Sequence, residues 1–148
     1  MSTGANNAED AAGGPAAVSL VEYRALARFR RSLREFLHFS EEAARGAGLT
    51  PAQHQLLLAI RGGDAAGPPT IGELAEALKL RHHSAVELVD RAVTAGLVER
   101  QSDPHDGRCQ RVQLLPPGEE KLAGLSALHR AELRRFKTQV LDHLAVLD

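Results

Sequence analysis

TIGELAEALKLRHHSAVELVDRAVTAGLVERQSDPHDGRCQRVQLLPPG, residues Thr70 to Gly118, is the stretch on which the fold turns. Thr70 and Glu73 have the spacing of a capping box. The hydroxyl would accept from the N–H of residue 73, and the carboxylate would reach back to the N–H of residue 70. Ile71, Leu74, Ala75 and Leu78 then share one helical face. A second helix is predicted from about His83 to Ala95, closed by Gly96, a residue suited to a C-terminal cap. Ala85, Leu88, Val89 and Ala92 make its inner face, which leaves His83, Ser84, Glu87, Asp90, Arg91 and Thr94 on a polar arc. Such an arc is either the solvated side of a core helix or a surface that meets a groove.

The flanks favour the groove. Leu97-Val98-Glu99-Arg100-Gln101 alternates apolar and polar, and Gln110-Arg111-Val112-Gln113-Leu114 alternates again. Asp103-Pro104 and Asp106-Gly107 between them are turn dipeptides, so the two runs read as a β-hairpin with Arg108 at a charged tip. Helix, turn, helix, strand, turn, strand is the order of a winged helix-turn-helix, a shape that fits a duplex groove. Between Pro68 and Ile71 there is room for a very short strand that pairs with the hairpin as a third member.

GLVERQSDPHDGRCQRVQLLPPG resembles the wing of the MarR-type transcriptional regulators. Gly96, Leu97, Val98, Arg100, Asp103, Asp106, Arg108 and Gly118 stand at the family's signature places. Leu74-Ala75, Leu78, Leu80 and Val89-Asp90-Arg91 match upstream. The resemblance covers about residues 49–122. The chain departs from the pattern at Gly107, Leu115, Glu87 and His82-His83, positions that bear on which bases are preferred. The resemblance implies a mainly α fold with a small antiparallel hairpin wing, flanked by N- and C-terminal dimerisation helices. It also implies a homodimer on double-stranded DNA, with a small aromatic or anionic effector held where the dimer helices meet the winged lobe. His38, Phe39 and His54 lie on elements that would line that crevice.

Working outward, Thr50-Pro51-Ala52-Gln53 is a helix start, with Thr at the cap, Pro in the first turn and Gln at the capping-box position. Leu56, Leu57 and Ile60 follow on its inner side, and Arg61 to Pro69 reads as a loop into the helix pair. Val18 to about Arg45 forms one long helix with Leu26, Phe29, Leu33, Phe36 and Leu37 as its stripe. After Pro116-Pro117-Gly118 a second long helix runs to about Leu147, with a bend allowed at Gly124 or over 128–133. Thirty residues of helix span roughly 45 Å, more than one small winged lobe covers, so the terminal helices call for a partner. The expected organisation is a loose tail over 1–16 and one domain over 17–148. Within that domain, 18–46 and 118–147 are the dimerisation helices and 49–116 is the DNA-binding lobe.

Composition narrows the class. The 148 residues are 43% hydrophobic and 25% charged, as in soluble globular chains. One cysteine rules out an intrachain disulfide, and there is neither a signal-peptide pattern nor a long apolar run; a reducing, cytoplasmic setting without a membrane is expected. No glycine-rich phosphate loop, G-x-S-x-G or H-E-x-x-H is present, so no enzyme is predicted. His82 and His83 are adjacent and splay apart on a helix, so no metal and no cofactor are expected. Cys109 in the wing lacks a resolving partner.

The predicted mechanism is therefore that of a sequence-specific transcriptional regulator, a repressor more than an activator. Two recognition helices on a two-fold axis enter successive major grooves about 34 Å apart, on a pseudo-palindromic operator. Ser84 and His83 lie near base edges, and Glu87 accepts from cytosine N4. Arg81, Arg91 and Arg111 contact phosphates. Arg108 is the minor-groove arginine carried over from the family, with Asp106 holding it. Between Lys79 and Arg111, however, six basic residues face five acidic ones (Glu87, Asp90, Glu99, Asp103, Asp106). That near balance keeps an alternative open, a winged-helix module that binds protein instead of DNA.

Overall fold

In a computed structural model of the protein, which describes residues 16–63 and 66–147, the helices start where the sequence supplies a cap or a proline. Ser19 caps α1 (Leu20–Gly46): its Oγ accepts from the Glu22 N–H at 3.2 Å, and the Glu22 carboxylate accepts from the Ser19 N–H at 2.6 Å. This reciprocal box, unforeseen in the sequence, moves the start from Val18 to Leu20. Thr50 and Gln53 form the expected box ahead of α2 (Pro51–Gly62), which takes in Arg61 and Gly62 from the predicted loop. Thr70 caps α3 (Ile71–Ala77) through the Glu73 N–H, but Glu73 does not reach back, so that box is half built. The recognition helix α4 (His82–Thr94) starts one residue earlier than predicted. Helix α5 (Pro116–Leu144) has no side-chain cap; Pro116 and Pro117 form its first turn, where their missing N–H groups cost nothing. It runs without a break at Gly124 or over 128–133, and Ala145–Leu147 add a 3-10 turn.

Strands β1 (Val98–Ser102) and β2 (Gln110–Leu114) pair antiparallel, Val98 opposite Leu114 and Ser102 opposite Gln110. The third strand expected before Ile71 is a single bridge, Thr70 to Arg111, supported by the Val112 N–H donating to the Pro69 carbonyl. The fold is thus mainly α with a two-stranded wing. Its core gathers Leu56 and Leu57 of α2, Leu74 of α3, Val89 of α4, Val98 and Val112 of the hairpin, and Leu122 and Leu125 of α5. Apart from Ala16, the expected loose tail over 1–16 lies outside the described residues.

Helices α1 and α5 pack antiparallel, with Ser40 facing His129, Phe36 facing Phe136 and Ser32 facing His143. On α1 the buried side chains are the small ones, Ala25, Ser32, Ser40 and Ala44. Small residues let two helices approach closely. The predicted stripe is therefore rotated: Leu26 and Leu37 face solvent, while Phe29, Leu33 and Phe36 are half-buried. Most of the large exposed apolar side chains lie on or beside these helices and the final turn, among them Val21, Tyr23, Leu128, Leu133, Leu141 and Val146.

Three helices end in the same way, with a residue in left-handed conformation whose successor donates back to the last turn. At Gly48 and Gly96 φ is +79° and +73°, and at Lys79 it is +56°. Leu49, Leu80 and Leu97 close the motifs onto the carbonyls of Ala44, Ala75 and Ala92. Glycine bears this conformation without strain and lysine does not. Lys79→Gly is expected to stabilise the fold by about 0.5–1 kcal/mol, the relief of Cβ strain exceeding the added chain entropy. Urea unfolding at neutral pH measures it; a destabilised variant would mean that the lysine side chain contributes more than the strain removes.

Candidate nucleic-acid interface

The α3–α4 turn presents the first turn of α4 to solvent. Arg81 is its N-cap in an extended conformation with no side-chain hydrogen bond, so the N–H groups of His82, His83 and Ser84 point outward without intrahelical partners. The positive end of the helix dipole and two exposed imidazoles lie together there. Ala85, Val89 and Ala92 are buried, Leu88 is half-buried, and His83, Glu87, Asp90, Arg91 and Thr94 are exposed, with Ser84 half-exposed. The inner face and the polar arc lie as the periodicity predicted.

The wing departs from expectation in who holds whom. Arg111, expected to contact phosphate, lies half-buried: its Nε donates to Asp103 at 3.0 Å and its Nη1 to the Pro68 carbonyl at 2.7 Å. It clamps the hairpin to the segment before α3. The His105 N–H, first, and then Arg111 hold the Asp103 carboxyl below the usual carboxylate range. Asp106 accepts from the backbone N–H of Arg108 at 3.0 Å, so it shapes the turn instead of gripping the guanidinium. Cys109 donates its N–H to the Asp106 carbonyl and accepts from Asp103, which completes the tip. Arg108 is exposed there. A shallow recess between the start of α4 and the hairpin is lined by His82, Val86, Arg100, Arg108, Cys109 and Gln110.

Asp90 and Arg100 were also unforeseen as partners. The Arg100 guanidinium, half-buried on β1, meets the Asp90 carboxylate on α4 at 2.5 Å and fixes the wing against the recognition helix. Arg100 and Arg111 pair with Asp90 and Asp103, and Glu99 accepts from Gln101 and Gln113. Exposed in this stretch are Lys79, Arg81, Arg91 and Arg108, with the carboxylates Glu87, Asp90 and Asp106. The pairings leave the near balance read from the sequence unchanged, and set Arg81, Arg91 and Arg108 apart from the paired charges.

A sequence model of the MarR family matches residues 47–108. The uncharacterized HTH-type transcriptional regulators YcgE and YsmB of Bacillus subtilis are 36% identical over 98 residues and 34% identical over 83. These matches take in 66% and 55% of this chain, and it spans about three fifths of the length of those curated relatives, 60% and 57%. Over residues 47–108 the chain is similar to the MarR family. The crystal structure of a mutant MarR from E. coli complexed with operator DNA superposes with a TM-score of 0.66 at 25% identity, covering 88% of this chain and 94% of that one.

Of the residues assigned to an effector crevice, His54 is buried on α2, Phe39 on α1 is half-buried and His38 faces solvent. His129 of α5, which the sequence reading did not single out, is buried and meets both, 5.0 Å from His54 and 5.4 Å from Phe39 between ring centroids. Its signal in the sequence was position: 122, 125, 129, 136, 140 and 143 follow one helical line, and 129 is a polar residue on it. Among the described residues no helix is long and apolar enough to cross a membrane.

Proposed function

We propose that the protein is a transcriptional regulator that binds duplex DNA as a homodimer. The observation that carries this reading is the outward face of the winged lobe, where Arg81 and Arg108 lie by the start of α4 and Arg91 in its last turn, all three exposed and without an ion-pair partner among the described residues. In this reading 49–116 is the DNA-binding lobe, and the terminal helices 18–46 and 118–147 join two copies through the apolar side chains they expose. His83, Ser84 and Glu87 meet base edges in the major groove. Arg81 and Arg91 hold phosphates, and Arg108 enters the minor groove. Arg111 supports the wing from within. The site is a pseudo-palindrome and the effect is repression, relieved when a small aromatic or anionic ligand near Phe39 and His54 favours another lobe spacing. Such a protein works beside the chromosome, in the cytoplasm.

Salt dependence tests the reading against a protein-binding wing. Arg81, Arg91 and, in the minor groove, Arg108 are counted as the cations that displace counterions, about six per dimer. Six contacts give a log–log slope of about −5, so affinity falls by about a thousandfold between 50 and 200 mM salt. Mobility-shift titration of duplexes selected from a random pool measures this. Failure to enrich any duplex, or a slope near zero, would leave the protein-binding alternative standing.

A further inference from the structure

The buried histidines form a unit that DNA binding does not use. His129 sits between α1 and α5, its Nδ1 2.7 Å from the Leu125 carbonyl and its Nε2 2.8 Å from the Ser40 hydroxyl. A carbonyl only accepts, so Nδ1 carries a hydrogen, and in the neutral ring Ser40 donates to Nε2. If the ring takes a second proton, Nε2 donates and Ser40 accepts, its own hydrogen turning to a helix carbonyl. Both nitrogens thus suit a cation. The edges of the rings pack against Phe36 and Phe39, with His129 centroid distances of 6.1 and 5.4 Å.

His54 is placed in the opposite sense. It is 4% exposed, and its Nδ1 is buried with no hydrogen-bond partner among the described residues. It lies in the first turn of α2, where the helix dipole disfavours a cation. Of the elements packed on α2, α5 brings the His129 ring against His54, and α1 brings Ser40, Phe36 and Phe39, none of them charged, against His129. Among the described residues no ion pair reaches His54 from α3, α4 or β2. A neutral pair is therefore accommodated, and a singly charged one is accommodated at His129. A doubly charged pair is not, unless α2 moves off α1 and α5.

We propose that His54 and His129 form an acid-sensitive latch that holds the winged lobe on the α1–α5 pair and releases it as the pair fills with protons. Burial, first, and then the field of His129 hold His54 below the usual histidine range, which agrees in direction. The sign follows: a depressed histidine contributes stability that is fully present above the unfolded pKa of about 6.5. That stability is lost as pH falls below it, down to the folded value. Opening lets α2, and with it α4, shift against the dimer helices, so duplex affinity falls by population shift. This last step rests on the proposed DNA-binding function; the latch itself does not.

The experiment follows melting temperature and affinity for a selected duplex between pH 7.5 and 5.5. The wild-type chain is compared with His54→Leu, which keeps the volume and removes the proton site. In the wild type both quantities fall, affinity by about tenfold. In His54→Leu the melting temperature stays flat and affinity does not fall. Should His54→Leu fail to fold, Ser40→Ala serves: it removes the acceptor for the His129 cation and moves the wild-type transition to lower pH. Melting profiles that coincide for wild type and variant overturn the latch. Absence of duplex binding at pH 7.5 counts against the DNA-binding reading instead, and the latch is then decided by the melting profiles alone.

Discussion

Gly118→Ala is expected to destabilise the protein by about 3 kcal/mol or more, the upper end of overpacking effects. Gly118 is buried in the first turn of α5, and a Cβ placed there would come within 2.2 Å of the Leu97 carbonyl oxygen and 3.1 Å of its carbon. Both are backbone atoms, so no side chain can swing aside. That carbonyl already accepts from the Leu115 N–H at 2.9 Å, so the approach of α5 to the start of the hairpin is fixed from both sides. Leu97 is buried in turn and tied to the end of α4 through the Ala92 carbonyl. To admit one methyl group, α5 must lift from β1, which opens the core around Leu122 and Val98. Denaturant unfolding followed by circular dichroism measures the loss. Gly124→Ala is the internal control, since nothing lies within 4 Å of a Cβ there and alanine favours the helix. A near-neutral Gly118→Ala would mean that α5 docks more loosely than the contact with Leu97 implies.

Gly118 illustrates how far the sequence could be read. Its match to the family signature marked the position, but its cause is a carbonyl twenty-one residues upstream in the chain. The elements themselves were legible because their signals are local: Thr50-Pro51 with Gln53, the alternation around Asp106-Gly107, and Gly96 after an apolar face. The long-range partners were not. Nothing in the spacing of Arg111 points to the Pro68 carbonyl, forty-three positions away, or in that of Arg100 to Asp90 on the preceding helix. Periodicity also ranked large side chains as the core of α1. The close α1–α5 approach selected small ones, and turned Leu26 and Leu37 outward. His129 escaped notice for a similar reason: counting only apolar residues skips a polar one that lies on the buried line. The charge count gave the balance but not its arrangement, since only geometry shows that Asp90 and Asp103 are paired while Arg81 and Arg108 stand exposed.

Arg108→Ala is expected to weaken duplex binding by roughly 2 kcal/mol per dimer, about 30-fold at physiological salt. The magnitude follows from counterion release: about 0.9 ion per contact, near 1 kcal/mol at about 0.15 M, taken twice. The backbone of the tip is held by Asp106 and by the Asp103–Cys109 pair of hydrogen bonds, none of which involves the Arg108 side chain, so the fold does not change. The loss should be equal for a selected duplex and a scrambled one, because a minor-groove arginine reads potential more than sequence. The salt slope should flatten by about two for the same two contacts per dimer. Arg108→Lys separates charge from shape: it keeps the slope and loses only what the planar guanidinium adds in a narrow groove. Glu87→Ala is the contrast on the recognition helix. It removes an acceptor and a negative charge from the groove face, so it should change preference at one base pair by about 1–3 kcal/mol. Its affinity for unrelated DNA should stay equal to or above that of the wild type. Mobility-shift titrations of the three variants, each at two salt concentrations, distinguish these outcomes. Unchanged affinity and slope for Arg108→Ala would remove the wing from the interface and leave α4 as the only element in contact with DNA.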